Sequence, residues 1–236
     1  FSDIATKIYY RPNTKNTISI SSYLSHDYYR VDSLFSIENV IAKQTSFNYG
    51  HQNAAIHWNH YFSPKLNMMV RGSLTDYTTK TFAPDTVNTI DLKSFILYRN
   101  LTASFDYQPR DNHKMNFGMT GTRYDIDPGN LNEGVISRVA TVKLPLEQSY
   151  ELGLFADDEW TISPKFTVQA GLRYSQYYRM GAGTINEYVP GQVPSLNSIV
   201  KKTTYGDGEV MASYGGLEPR LTMKYSLAEN TTMKFG

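Results

Sequence analysis

The sequence predicts an all-β fold, an antiparallel up-and-down transmembrane β-barrel segment with about ten strands of a larger barrel. Three observations support this prediction. Apolar and polar residues alternate along ten segments, short and long connections alternate between the segments, and aromatic residues stand near the segment ends. Alternation with a period of two is typical of strands that have one apolar and one polar face.

The ten segments share this period and are rich in β-branched and aromatic residues, which strands favour. In the run that begins at Phe166, Val168 and Leu172 fall on one face, whereas Gln169 and Arg173 fall on the other. The predicted strands span residues 3–11, 16–28, 47–62, 65–79, 95–109, 113–125, 147–162, 165–179, 217–227 and 231–236.

The connections between these strands alternate in length without exception. Short turns follow the odd-numbered strands at residues 12–15, 63–64, 110–112, 163–164 and 228–230. Long loops follow the even-numbered strands at residues 29–46, 80–94, 126–146 and 180–216. Outer-membrane barrels have short periplasmic turns and long extracellular loops. We therefore expect the turns to lie in the periplasm and the long loops outside the cell.

Aromatic residues make up 14% of the chain and bracket the apolar runs. We assign to two membrane belts Trp58, Tyr61, Trp160, Phe166, Tyr174 and Tyr225. Tyr77 and Tyr124, at the far ends of two strands, are placed in the outer belt as well. A strand from Phe166 to Tyr174, tilted by about 40°, rises roughly 20 Å, close to the apolar band of an outer-membrane barrel.

Composition excludes several other classes of protein. A net charge of +1 without a basic patch gives no reason to expect nucleic-acid binding. The absence of cysteine excludes disulfides and thiolate metal sites. His57 and His60 are three residues apart, so a strand points them to opposite faces and they do not form a metal pair. We expect no cofactor, no metal site and no catalytic residues, although a loose calcium site near residues 125–130 stays open.

Two groups of residues are candidates for function. On the polar face, where they would line a barrel lumen, are Arg71, Asp106, Asp157, Glu159, Gln169, Arg173, Arg220 and Lys224. They either form a translocation path or hold a domain inside the barrel by salt bridges, and the residues do not separate these alternatives. In the longest loop, residues suited to ligand contact are Tyr188, Lys201, Lys202 and Tyr205.

Two stretches, SYELGLFADDEWTISPKFTVQAGLRYSQYY and LEPRLTMKYSLAENTTMKFG, resemble the barrel of a TonB-dependent outer-membrane receptor. The resemblance is carried by Ala156–Trp160, Gly171–Tyr174 and Pro219–Leu221, in that order. It implies a 22-stranded barrel filled by a plug domain. The function it implies is energy-coupled uptake of a scarce nutrient such as a siderophore, cobalamin, a glycan or a peptide.

The sequence departs from that family because it shows no plug domain, no energy-coupling segment and only about ten strands. We therefore expect residues 1–236 to be one partial barrel domain of a longer polypeptide in the bacterial outer membrane. Its expected partners are outer-membrane lipid, its own plug domain and remaining strands, and the TonB protein. A surface lipoprotein is kept as an optional partner. A passive porin and a soluble β-sandwich binding module remain as alternatives.

Overall fold

The computed structural model describes residues 1–33, 43–84, 89–132 and 141–236. In these ranges the long strands are β1 (Ser2–Asn13), β2 (Asn16–Ser33), β3 (Lys43–Ser63), β4 (Leu66–Ala83), β5 (Ile90–Arg110), β6 (His113–Asn132), β8 (Glu147–Ser163), β9 (Phe166–Met180) and β12 (Val210–Ala228). The shorter elements are β7 (Val142–Lys143), β10 (Gly183–Tyr188), a 3₁₀ helix (Leu196–Ser198), β11 (Ile199–Tyr205) and β13 (Thr231–Phe235).

One antiparallel sheet contains all the long strands, in the order β1-β2-β3-β4-β5-β6-β8-β9-β12-β13. Neighbours in the sheet follow one another along the chain, apart from β7, which pairs with the far end of β6, and the β10–β11 hairpin between β9 and β12. This up-and-down order confirms the predicted fold class. No helix in the described ranges is long and apolar enough to cross a membrane.

Two neighbouring rows of paired residues show that the sheet has two chemically different faces. One row is formed by Ile18, Trp58, Val70, Ala103, Met119, Leu154, Tyr174 and Leu217. The row one residue further along is formed by Ser19, His57, Arg71, Thr102, Thr120, Gly153, Ser175 and Gly216. Because side chains alternate along a strand, these rows point to opposite sides. We call these sides the apolar face and the polar face.

The sheet buries almost nothing by itself. Met211 is the one buried apolar residue among the described residues, and large side chains such as Leu101 and Leu154 are exposed on the apolar face. A soluble sandwich would bury such a face against a second sheet. An exposed apolar face of this extent suits contact with lipid, as we predict from the sequence.

The two Ser-Pro-Lys segments fold into the same turn. Ser63 Oγ accepts a hydrogen bond from the Lys65 amide at 3.2 Å, and Ser163 Oγ accepts one from the Lys165 amide at 3.4 Å. The carbonyls of both lysines accept hydrogen bonds of 2.8 Å from the next hairpin, from the amides of Gln108 and Ser226. The repeated sequence therefore reverses the chain and joins successive hairpins.

Successive hairpins are staggered, which shows that the strands are tilted. Leu66 at the start of β4 pairs with Tyr107, and β5 continues three residues further to Arg110. Phe166 at the start of β9 likewise pairs with Tyr225, and β12 continues to Ala228. Three residues of strand are about 10 Å long, and two neighbouring strands are together about 10 Å wide. A shift of this length over this width corresponds to a strand tilt of about 45°, at the upper end of the range for outer-membrane barrels.

The strands extend further beyond the apolar band than the sequence predicts. We predicted that the third and fifth strands begin at residues 47 and 95, but β3 begins at Lys43 and β5 at Ile90, and each has 21 residues. Beyond the apolar band, the same face of β4, β5 and β6 carries charged residues, including Asp76, Arg99 and Arg123. Hydrogen bonding between strands continues there because the neighbouring strands are equally long, although the apolar pattern has ended.

The longest predicted loop is also more ordered than expected. Residues 180–216 contain the end of β9, the β10–β11 hairpin, the 3₁₀ helix and the first residues of β12. Reading this segment as irregular was wrong, because its Thr, Ile and Tyr residues pair as a hairpin between the glycines. Residues 34–42, 85–88 and 133–140 of the other predicted loops lie outside the described residues.

Both tryptophans lie on the apolar face near short turns, and each contacts a histidine. Trp58 Nε1 donates to Asn16 Oδ1 at 3.0 Å, and His60 Nδ1 lies 2.8 Å from the same oxygen. Further along the same face, between β6 and β8, the Trp160 ring stacks on His113 with centroids 5.5 Å apart. His113 Nδ1 in turn lies 2.7 Å from Asp158 Oδ2.

Of the other residues assigned to the belts, Phe166 and Tyr225 face each other across β9 and β12, with ring centroids 6.2 Å apart. Tyr174 shares the apolar row with Leu154. Indole and phenol rings favour the headgroup level of a membrane, so the belt remains our prediction for these residues.

Tyr61 does not fit the belt assignment. It pairs with Asn67, which places it on the polar face. A register shift follows Tyr61, and the Phe62 ring packs 4.5 Å from His60 on the apolar face. The assignment of Tyr61 was wrong because the strand period, rather than closeness to the turn, decides the direction of a side chain. Tyr77 and Tyr124 are corrected for the same reason, since they pair with His51 and Tyr98 on the polar face.

We predict that an arginine is costly on the apolar face and tolerated on the polar face. Leu154 is 59% exposed between Met119 and Tyr174. Leu154→Arg should lower the free energy of unfolding in lipid by about 1–3 kcal/mol, since it places a charge in the apolar band between the midplane and the level of Tyr174. The matched change Gln169→Arg should cost less than about 1 kcal/mol. Denaturant titration in phospholipid vesicles measures both values, and equal costs would contradict the two-face assignment.

A second prediction concerns the two tryptophans of the chain, Trp58 and Trp160. Variants that keep one indole each, Trp160→Phe and Trp58→Phe, should be quenched more strongly by lipids brominated near the headgroup than by lipids brominated near the chain end. Both indoles should report the same depth, because both lie close to short turns on the apolar face. An indole that no brominated lipid quenches would show that the face is not in contact with lipid.

Candidate functional site

The polar face near the short turns carries an acidic cleft of about 410 Å³. Asp106, Asp157 and Glu159 line it. Asp106 Oδ1 accepts a hydrogen bond of 2.6 Å from the Asn116 amide, and Asp157 Oδ1 accepts one of 3.1 Å from the Gln169 amide. These pairs connect neighbouring strands and hold both carboxylates in place at the edge of the cleft.

Glu159 also has a cation partner at the edge of this cleft. Its Oε1 lies 3.6 Å from Lys114 Nζ, and both side chains are largely exposed. A solvent-exposed pair of this kind contributes little to stability. Lys65 also lines the cleft, and its ammonium donates to the Pro109 carbonyl at 2.9 Å. Three carboxylates therefore face two lysines, which leaves the cleft weakly acidic.

Arg173 occupies the centre of the polar face on β9. Its Nη2 lies 3.1 Å from Glu151 Oε1, and its Nε donates to Ser175 Oγ at 2.9 Å. Gly153 provides the space, because a Cβ at this position would come within 3.0 Å of the guanidinium. Both charged side chains are about one-third exposed. The arginine is thus oriented by its own strand and by β8.

Arg220, Arg71 and Lys224 complete the predicted polar-face set. Arg220 lines a smaller cleft of about 220 Å³ together with Asp157 and Arg173. Arg71 pairs with His57 and Thr102, and Lys224 pairs with Thr167 and Lys234. All eight residues predicted for this face therefore share it by register, and their lining of a lumen stays a prediction.

A ladder of amide and hydroxyl groups crosses the polar face between β5 and β6. Asn100 Nδ2 donates to Thr120 Oγ1 at 3.0 Å and to Thr122 Oγ1 at 2.9 Å. Thr102 Oγ1 hydrogen bonds to Thr120 Oγ1 at 3.0 Å. We did not single out these residues from the sequence, where short polar side chains look unremarkable. These uncharged side chains satisfy one another's hydrogen-bonding groups and keep this face hydrophilic.

Aromatic residues on the polar face form a second feature that the sequence interpretation missed. Tyr98 and Tyr124 have ring centroids 5.4 Å apart, and Tyr177 and Tyr214 have centroids 6.2 Å apart. Three further rings, those of Tyr23, His51 and Tyr77, cluster on β2, β3 and β4. Counting along each strand could have identified them. Each of these positions is an odd number of residues away from a residue of the apolar face on the same strand, so its side chain points to the polar face.

The β10–β11 hairpin holds the four residues predicted for ligand contact, but not on one surface. Lys201 pairs with Glu187 and forms an ion pair of 2.9 Å with it. Lys202 pairs with Asn186, whose amide lies 3.5 Å from Tyr188 Oη. Lys201 and Tyr205 therefore lie on one side of the hairpin, and Lys202 and Tyr188 on the other.

The carboxylate of Glu187 raises the pKa of Lys201, first through their hydrogen bond and then through their charges. Lys201 is therefore cationic at any physiological pH and partly neutralised. Lys202, which pairs with an uncharged residue, is the more available cation of the two.

The described residues contain no cluster of histidine and carboxylate side chains that could hold a metal ion. The candidate calcium segment has a simpler explanation. Asp127 accepts hydrogen bonds from the Gly129 amide at 3.0 Å and from Asn130 Nδ2 at 2.8 Å. Gly129 has a φ of 135°, which favours glycine. The aspartate therefore stabilises a local bend on β6.

Comparisons with known proteins agree with this architecture. Residues 125–236 match the family described as "Outer membrane beta barrel domain". Among curated protein sequences, none is significantly similar to the chain.

Several solved structures share the fold at low sequence identity. The FrpB iron transporter from Neisseria meningitidis superposes with a TM-score of 0.68 at 10% identity, over 98% of this chain and 36% of that chain. The ferric yersiniabactin uptake receptor FyuA from Yersinia pestis gives 0.63 at 8% identity, over 96% and 35%. The hemophore receptor HasR from Serratia marcescens, solved with its hemophore HasA and heme, gives 0.64 at 14% identity, over 95% and 33%.

The chain thus spans about a third of the length of these structures. Its strand order, its strand tilt and its two opposed faces are those of an outer-membrane barrel. The matching family and the superposed structures have the same architecture. The chain therefore has the fold of an outer-membrane β-barrel, similar to the barrels of these transporters and receptors, and its residues 125–236 match the outer-membrane β-barrel family.

Proposed function

We propose that the polar face lines the lumen of a receptor barrel that takes up a scarce nutrient by energy-coupled transport. The observation that carries the proposal is the opposition of the two faces. The apolar row suits lipid, while the polar face holds an acidic cleft, the Arg173–Glu151 pair and the Asn100 ladder. Such a surface suits the hydrated interior of a wide barrel. No covalent chemistry is needed for this function.

The other parts of the transporter belong to the same proposal. Residues 1–236 act as a single barrel domain, and further strands pair with the edges β1 and β13, since an open edge would leave backbone groups unsatisfied in lipid. A plug domain would contact the acidic cleft, and TonB would supply energy through it. A surface lipoprotein would contact the hairpin side.

The ligand class follows from the superposed proteins only as a proposal. Their titles describe an iron transporter, a ferric yersiniabactin uptake receptor and a hemophore receptor bound to heme. A copper transporter, OprC, shares the fold as well. We therefore propose a scarce metal complex or a comparable nutrient as cargo. The β10–β11 hairpin, which carries Lys202 and Tyr188, would contact it outside the membrane.

We predict the topology from the hairpin. Val193 and Leu196 at its tip are more than 80% exposed. Protease added to intact cells should cut between residues 189 and 197 and spare the turn at 163–164, because the hairpin lies outside the cell and this turn lies in the periplasm. Mass spectrometry of the fragments identifies the cut. Cleavage near 163–164 in intact cells would reverse the topology.

We also predict that uptake depends on the hairpin and on energy. Deleting residues 183–205 leaves the bonds between Gly181 and residues 208–209 that close the base of the hairpin. Cells with this deletion should assemble the barrel but grow poorly when iron, copper or heme is limiting. In unmodified cells, an uncoupler should abolish uptake of the labelled nutrient. Uptake that persists with the uncoupler would favour a passive porin, and normal growth of the deletion strain would remove the hairpin from the proposal.

A further inference from the structure

An open cavity of about 510 Å³ lies on the polar face of β2, β3 and β4. It lies beyond the apolar band, on the side away from the short turns. We call it the tyrosine cage, and the residues that line it are Tyr23, Ser25, Asp27, Tyr49, His51 and Tyr77. None of them belongs to the acidic cleft or to the hairpin. The cage is thus a separate feature of the polar face.

The sheet register brings these side chains together. Asp27 pairs with Tyr49, Ser25 pairs with His51, and His51 pairs with Tyr77 on the next strand. Cross-strand neighbours on one face are close enough for their side chains to touch. The cage is therefore built by three rigid strands rather than by a loop, and its shape is set by the backbone.

The rings form walls rather than a flat platform. The planes of Tyr23 and His51 are inclined by 56° with centroids 5.6 Å apart, and those of His51 and Tyr77 by 63° with centroids 6.4 Å apart. A flat ligand ring would be served better by parallel faces. Inclined rings line the cavity with surfaces of different orientation, and the faces of aromatic rings attract compact cations.

The charges around the cage favour a cation as well. Asp27 is part of the lining, and Asp3 on β1 pairs with Ser25. On β5 the residues of this face opposite Tyr77 and Thr79 are Ile96 and Ser94, which carry no charge. The nearest lysine on β1 is Lys7, which pairs with Ser21 outside the lining. A cationic ligand would therefore meet the carboxylate of Asp27, with Asp3 one strand away on the same face.

We propose that the tyrosine cage binds an ammonium or N-alkylated amine group of the ligand. This inference rests on the proposed receptor function and adds the chemical class of one part of its cargo. The rings of Tyr23, Tyr49 and Tyr77 surround the positive group, and Asp27 neutralises it. The uncharged part of the ligand extends toward the outer end of the strands.

The test uses the protein purified in detergent and choline as the probe. A neutral compound of the same shape, 3,3-dimethylbutan-1-ol, is the ligand control. Calorimetry should show choline binding, and the neutral compound should bind at least about tenfold more weakly, as the loss of a cation–π site and its carboxylate implies. Asp27→Asn and Tyr77→Leu should each weaken choline binding by about fivefold or more.

The matched protein control is Tyr28→Leu. Tyr28 is adjacent to Asp27 but pairs with Asn48 on the opposite face, so this change should leave choline binding unaltered. All substituted side chains are partly exposed, so the variants should fold. Folding is checked by gel electrophoresis, in which the unheated, folded barrel migrates differently from the heated, unfolded chain. Equal affinity for choline and the neutral compound, or equal binding by the Asp27 and Tyr77 variants, would overturn the proposal.

Two further outcomes separate this inference from the proposed function. In the first, ferric iron added alone binds and gives a tyrosinate absorption band, and this band is lost in Tyr77→Leu. This result would assign the cage to a metal ion and overturn the proposal that it binds an amine. Choline binding that follows the predicted variants while uptake survives an uncoupler would support the cage and reject energy-coupled transport. Failure of choline binding with intact energy-dependent uptake would reject the cage alone.

Discussion

Every strand in the apolar band must satisfy its backbone hydrogen-bonding groups through neighbouring strands, because lipid offers no donors or acceptors. The unbroken pairing from β1 to β13 meets this requirement inside the described sheet. It also forces alternate residues to opposite sides. The row from Ile18 to Leu217 and the row from Ser19 to Gly216 are the direct result. The belt, the clefts and the cage all depend on that one division.

The division explains why the sheet has nearly no interior of its own. Leu154 would be costly to expose in water, and the Arg173–Glu151 pair would be costly to place in lipid. A membrane on one side and a hydrated lumen on the other suit both. The repeated Ser-Pro-Lys turns then fix the stagger between hairpins, and the stagger sets a tilt that brings the apolar band of each strand to one membrane level.

Much of this arrangement could be predicted from the sequence, because the strand period is visible in the residues themselves. The face of Gln169, Arg173 and the other six polar candidates followed directly from parity. Tyr61, Tyr77 and Tyr124 were misplaced because closeness to a strand end was weighed above parity, and a register shift beside Tyr61 is invisible in the sequence.

The outer parts of the strands were harder to predict. Beyond the band, the pairing of β3 with β4 continues without an apolar period, so no pattern marks where the strands end. The β10–β11 hairpin was missed for a similar reason, as its short strands are exposed on both sides. The tyrosine cage needed the register itself, since its six residues come from three strands and only pairing brings them together.

The most direct test of the account is a scan of single cysteines along β5 and β6, which the cysteine-free chain allows without background labelling. In intact outer membranes, a water-soluble maleimide should label positions 102, 106, 116 and 120, which lie on the polar face. Positions 101, 103, 117 and 119, on the apolar face, should not react with this maleimide. A spin label attached to the same positions should instead be relaxed by a lipid-soluble quencher. Labelling that ignores this period of two would contradict the central claim that lipid covers one face of the sheet and water the other.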